Sequence, residues 1–145
     1  MLIPPVAATG GAPSPRCLIV DDSQVVRKVA RRLLEKHGVQ VQEAGSGYEA
    51  LRICRQALPT CILLDWNMPG MSGIEFLQNL CVCVDREKPI ILFCTTETDL
   101  AAAKTAASFG ADGYILKPFD EVMLIDKFCE LGLKLPARSD PLVSA

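Results

Sequence analysis

Residues 61–70 read Cys61-Ile62-Leu63-Leu64-Asp65-Trp66-Asn67-Met68-Pro69-Gly70. An apolar run leads directly into a carboxylate, and the carboxylate into a turn-forming Asn-Met-Pro-Gly. A short apolar run bounded by a turn reads as a strand of a parallel sheet, buried on both faces. Asp65 then stands at the strand's carboxyl end, the edge where open α/β sheets collect ligands and chemistry. The pattern recurs along the chain. Cys17-Leu18-Ile19-Val20 runs into Asp21-Asp22, Ile90 to Cys94 into Thr95-Thr96, and Tyr114-Ile115-Leu116 into Lys117-Pro118. Three carboxylates, a hydroxyl and an ammonium thus meet at one sheet edge.

Helical patterns separate these runs. The spacing predicts strands over 16–21, 39–43, 89–95 and 113–116, with another ending at Asp65, and helices over 23–37, 97–109 and 119–131. Two further helices open on the capping boxes Ser46-Gly47-Tyr48-Glu49 and Ser72-Gly73-Ile74-Glu75. In the first helix Val25, Val26, Val29, Leu33 and Leu34 recur at helical spacing, opposite a basic face of Arg27, Lys28, Arg31, Arg32 and Lys36. The last helix is expected to bury Val122, Ile125, Phe128 and Cys129. Strict strand–helix alternation implies one α/β domain, a five-stranded parallel sheet covered by helices on both faces. Residues 1–15, rich in Pro and Gly, read as a flexible leader, 16–133 as the domain, and 134–145 as a flexible tail.

Composition excludes several classes. A net charge of -2 argues against nucleic acid as a partner. No apolar stretch approaches the roughly 20 residues that span a bilayer, and the N-terminus lacks the charged and apolar regions of a secretory signal. Most of the seven cysteines lie inside apolar runs, as reduced core thiols of a cytoplasmic protein. Cys81-Val82-Cys83 lacks metal-site spacing, and the single histidine, His37, is distant in sequence.

The residues at the strand ends suit phosphoryl transfer. A carboxylate attacks phosphorus to give an acyl phosphate, a reaction that needs positioning and charge neutralisation. Asp21, Asp22 and Asp65 together would repel without a cation, and an all-oxygen donor set suits Mg²⁺. Lys117 adds one positive charge, and Thr95 a hydroxyl donor.

Asp21-Asp22, Asp65-Trp66-Asn67-Met68-Pro69-Gly70-Met71-Ser72-Gly73, Thr95 and Lys117-Pro118-Phe119 resemble the motif set of response-regulator receiver domains, of the CheY-like single-domain kind. The resemblance covers roughly residues 16 to 133. It implies a flavodoxin-like (βα)5 fold with strand order 2-1-3-4-5. It also implies that Asp65 accepts a phosphoryl group from a histidine kinase or histidine phosphotransfer protein. Asp22 and Asp65, with the Asn67 carbonyl, would ligate Mg²⁺, and Asp21 would hold a metal-bound water. Lys117 would contact the phosphoryl group, with a cis Lys117-Pro118 peptide. Thr95 and Tyr114 would change position together as a switch. Asn67 and Glu97 would influence hydrolysis. Thr96 departs from the family's usual small residue at that position.

By the same resemblance the first helix meets the phosphodonor, and the fourth helix, fifth strand and fifth helix form the output surface toward a downstream protein. The protein is expected to be a cytoplasmic monomer that acts through protein contact, without nucleic acid or membrane, as a phosphoacceptor switch in two-component signalling, chemotaxis among its settings. It is enzymatic only toward its own acyl phosphate. Three other readings compete. A degenerate, phosphorylation-independent receiver is opposed by the complete residue set. A dehalogenase-like phosphohydrolase is opposed by Asn67 where such enzymes carry a second Asp. A flavodoxin-like electron carrier is opposed by Asp21-Asp22 where a phosphate-binding loop would stand.

Overall fold

The computed structural model describes the backbone of residues 14–83, 88–96 and 100–136. Ten elements alternate: β1 Arg16–Val20, α1 Gln24–Glu35, β2 Gln40–Ala44, α2 Gly47–Gln56, β3 Cys61–Asp65, α3 Gly73–Cys83, β4 Ile90–Thr95, α4 Leu100–Ser108, β5 Gly113–Leu116 and α5 Glu121–Glu130. All strand pairings are parallel, and the order is β2-β1-β3-β4-β5. The flavodoxin-like architecture expected from the sequence is therefore the one observed. The fifth strand has the expected bounds, and the other boundaries lie within three residues of the expected ones.

Side chains alternate across the strands and build two cores. Leu18, Val20, Ile62, Leu64, Ile91 and Phe93 face α2, α3 and α4, where Leu51, Phe76, Leu77 and Ala106 are buried. Cys17, Ile19, Cys61, Leu63, Leu92 and Cys94 face α1 and α5, against Ala30, Leu34, Leu124 and Phe128. Phe76 and Phe128 are fully buried; each contributes about 1.5–3 kcal/mol by that burial. Cys17, Cys54, Cys61 and Cys94 are buried thiols, as expected.

The helix starts follow local chemistry. Ser23 Oγ accepts from Val26 N at 3.3 Å and caps α1. Ser72 and Glu75 exchange reciprocal bonds of 3.2 and 2.9 Å, a complete capping box. At α2, Ser46 Oγ accepts from Glu49 N, while the Glu49 carboxylate reaches one residue further back, to Gly45 N at 2.9 Å.

Two expectations about helix faces need correction. Val25 is 72% exposed and Val29 is also exposed, because the stripe of α1 that meets the sheet is Ala30–Leu34. Val29 lies about 100° around the helix from Ala30 and Val25 about 140°, which puts both valines off the inward stripe, on its shoulder. In α5 the inward stripe is Leu124, Ile125 and Phe128, so Val122 and Cys129 are exposed. Among the described residues, no helix is long and apolar enough to cross a membrane.

Candidate functional site

The chain reverses its direction of growth at β1, which lies between β2 and β3. This switch point opens a crevice at the carboxyl ends of β1 and β3. Register pairs Val20 with Leu64, so Asp21 and Asp65 are the next residues outward on adjacent strands. Asp65 lies two residues beyond Leu63 and leaves the sheet on the α1–α5 side. Trp66 leaves on the opposite side and packs on Phe93, ring centroids 5.0 Å apart.

Asp21 and Asp65 are buried, whereas Asp22 is exposed. One carboxylate oxygen from each of the three lies within 4.8 Å of the others. Lys117 Nζ reaches over from the end of β5, donating to Asp21 Oδ2 at 2.9 Å and to Asp65 Oδ1 at 3.3 Å. The Lys117-Pro118 peptide is cis. Asp21 is further held by its main-chain N–H, which donates to the Ala44 carbonyl at 3.1 Å, and by Ser23 N, which donates to Asp21 Oδ1 at 2.8 Å.

Burial and then the neighbouring Asp21 charge push the Asp65 carboxyl up to about 6, against opposing contributions from Lys117 and the Asn67 main chain. Burial pulls the Lys117 ammonium down, but its hydrogen bond to Asp21 and the charges of Asp65 and Asp21 hold it above its ordinary value. One ammonium therefore serves two buried carboxylates, and Asp22 forms no ion pair among the described residues. Three converging carboxylates with a deficit of positive charge fit a hard divalent cation with oxygen ligands, and Mg²⁺ is the simplest choice. Beneath the site, Cys94 is pushed up to about 12, chiefly by burial, and stays a neutral thiol.

Thr95 is buried at the end of β4, where its carbonyl accepts from Lys117 N at 2.8 Å. Thr96, directly after β4, and Asn67, two residues beyond Asp65, are exposed. Tyr114 is partly exposed on β5, and its ring stands 5.7 Å from Phe93. Trp66 just beyond β3, Phe93 on β4 and Tyr114 on β5 thus form an aromatic row. Nothing in the sequence motifs pointed to Phe93, although strand register could have suggested it. Glu97 lies outside the described residues.

Part of the basic face of α1 is tied down onto the sheet. Arg27 and Arg31 do not extend into solvent but fold back onto Glu43 of β2, at 3.0 and 2.6 Å. Beside the site, Val25, Val26 and Val29 line an apolar groove of about 170 Å³ with Pro118 and Phe119.

The chain is similar to known proteins in sequence and fold. A family model described as the response regulator receiver domain matches residues 17–128. The chemotaxis protein CheY-3 of Vibrio cholerae serotype O1 is 35% identical over 121 residues, 83% of this chain and 93% of that protein. Sporulation initiation phosphotransferase F of Bacillus subtilis is 34% identical over 126 residues, 86% of this chain and 97% of that protein. The solved structure of Vibrio cholerae chemotaxis protein CheY4 superposes with a TM-score of 0.78 at 31% identity, covering 82% of this chain and 99% of that one. With its sheet order, acidic cluster and lysine in place, the chain belongs to the family of two-component response-regulator receiver domains.

Proposed function

We propose that Asp65 is the phosphoacceptor of this receiver domain and that Asp21, Asp22, Asp65 and the Asn67 carbonyl hold Mg²⁺ beside it. The observation that carries the reading is the single Lys117 ammonium shared by Asp21 and Asp65, with Asp22 converging on the same point. An Asp65 oxygen attacks phosphorus, the P–N bond to a histidine of the donor breaks, and an acyl phosphate forms. Bound by those residues, Mg²⁺ would supply neutralisation of charge on the phosphoryl oxygens. Lys117 contributes a second positive charge to those oxygens, and the Thr95 hydroxyl a hydrogen bond. The donor is a histidine kinase or histidine phosphotransfer protein, met by the Val25–Val29 shoulder and the Pro118–Phe119 loop beside the crevice.

Thr95 and Tyr114 then report the charge to the surface formed by α4, β5 and α5, which a downstream protein reads. This is a two-state switch biased by a local electrostatic event. The test is incubation with Mg²⁺ and a small acyl-phosphate donor, followed by intact mass. Uptake of one phosphoryl group, absent in Asp65→Ala, is expected; uptake that survives the substitution refutes the assignment.

Thr96 shapes the lifetime of that group. It is exposed and directly follows the buried Thr95 at the carboxyl end of β4, and added bulk beside the acceptor limits the approach of water. Thr96→Ala is expected to change the dephosphorylation rate by several-fold while Mg²⁺ affinity stays nearly constant. Equal acyl-phosphate lifetimes in the two proteins would contradict this role.

A further inference from the structure

Arg27 sits on the first turns of α1, on the helix's basic face, yet its side chain is only 17% exposed. Nη1 donates to the main-chain carbonyl of Asp21 at 2.7 Å, and Nε donates to Glu43 Oε1 at 3.0 Å. Glu43 is itself anchored on β2. It is 12% exposed and its other oxygen accepts from Arg31 Nη1 at 2.6 Å and Lys28 Nζ at 3.5 Å. Arg31 Nη2 continues to the Val41 carbonyl at 3.0 Å. Burial raises the Glu43 carboxyl, but the bonds from Arg27 and Arg31 outweigh it and hold the carboxyl below its ordinary value.

The contact to Asp21 falls on a particular atom. The Asp21 carbonyl belongs to the peptide plane that leads into Asp22, and that plane moves as a rigid unit. Rotation of the plane redirects the Cα–Cβ bond of Asp22. The Asp21 side chain and amide are already held by Ser23, Lys117 and Ala44. Asp22 is exposed and forms no ion pair among the described residues, so its direction depends on the backbone that carries it.

We propose that Arg27, seated by Glu43, is a positioning residue for the divalent-cation site, fixing the Asp21–Asp22 peptide so that the Asp22 carboxylate points to where Asp21 and Asp65 converge. The inference rests on the reading of that cluster as a Mg²⁺ site. It also makes a prediction of opposite sign to simple electrostatics. A guanidinium near a cation site repels the cation, so removing it as a bare charge would tighten binding. Removing it as a positioning group weakens binding, as loss of groups that orient metal ligands does in general.

The test is Mg²⁺ titration of the full chain, read by calorimetry and by fluorescence of Trp66, the single tryptophan, with urea unfolding of each variant alongside. Arg27→Met is expected to weaken Mg²⁺ binding by about 10-fold. Arg27→Lys is expected to recover part of the loss, because an ammonium lacks the fork that spans carbonyl and carboxylate together. Gly45→Val provides a charge-neutral variant: a Cβ at Gly45 would stand 3.4 Å from Arg27 Nη1, so a branched side chain displaces the guanidinium. Weaker Mg²⁺ binding is expected there too, and if Arg27→Met does not fold, this variant decides. Equal or tighter Mg²⁺ binding in folded variants, with only urea stability reduced, overturns the positioning role. A wild-type chain that binds no Mg²⁺ overturns the cation-site reading itself.

Discussion

Asp65→Asn is expected to end phosphoryl uptake and, in the same protein without Mg²⁺, to raise the melting temperature at pH 7.5. The second effect follows from linkage. The Asp65 carboxyl lies at about 6 in the folded chain against 3.8 as its ordinary value, chiefly through burial and then the Asp21 charge. The folded state therefore holds this proton more tightly than the unfolded state. The stabilisation from that proton is fully present below pH about 4 and is lost as pH rises through about 6. Above that range the folded chain carries a buried carboxylate that it would be more stable without. A shift of this size corresponds to at most about 3 kcal/mol, and about 1–3 kcal/mol is expected after relaxation around Lys117.

For a domain of this size that is a rise of roughly 3–10 °C. The gain should shrink toward zero near pH 4, and Mg²⁺ should stabilise wild type far more than the variant. Melting curves over pH 4–8, with chelator and with Mg²⁺, check the three outcomes together. A variant less stable than wild type at pH 7.5 in chelator would show that Asp65 contributes to the fold through its pairing with Lys117 rather than opposing it.

Gly73→Ala is the second large effect, and it acts through shape. Gly73 opens α3, and its N–H donates to the Trp66 carbonyl at 3.2 Å. A Cβ there would stand 2.9 Å from the Asp65 carbonyl oxygen and 3.1 Å from Trp66 Cα. Both are backbone atoms of the segment that carries the acceptor, so neither yields by rotating a side chain. Alanine brings at most about 1 kcal/mol of helix propensity, less at a first turn. Overpacking of this kind costs about 1–3 kcal/mol. The clash wins, and a net loss of about 1–2 kcal/mol is expected in urea unfolding.

The same displacement moves Asp65 relative to Lys117 and Asp21, so acyl-phosphate uptake should slow by about 10-fold or more. Gly47→Ala is the matched control. Its Cβ would meet Met71 Sδ at 2.7 Å, Cγ at 2.9 Å and Cβ at 3.0 Å, so that clash falls on the Met71 side chain and not on the backbone that carries Asp65. If Gly73→Ala behaves no worse than Gly47→Ala in both assays, the close approach at Asp65 has no functional weight.

Much of the molecule was legible in the chain because its information is local. Apolar runs such as Ile62-Leu63-Leu64 identify buried parallel strands. Ser72 and Glu75 declare a helix start, and the residues at each strand's carboxyl end share an edge in any parallel sheet. Asp21, Asp22, Asp65, Thr95 and Lys117 could therefore be nominated together before any contact was known. Helix rotation was less legible. Val25, Val29 and Val122 satisfy helical spacing as well as Ala30 or Leu124 do, and only the docking of each helix on the sheet decides which ridge faces inward.

Sequence alone determined which chemical groups arrive at the site edge, since period-2 strands and short turns deliver their last residues there whatever the strand order. Tertiary structure decided how those groups meet. The order β2-β1-β3-β4-β5 sets Asp21 beside Asp65, and the path of the chain after β5 lets Lys117 bond both. It also turned Arg27 from a surface charge into a tie between Glu43 and the Asp21 carbonyl. Those contacts join residues 6 to 96 positions apart, and all but the Arg27–Asp21 tie span 16 or more, beyond what a local preference encodes. They follow from sheet register and helix docking, which the whole packed core sets at once.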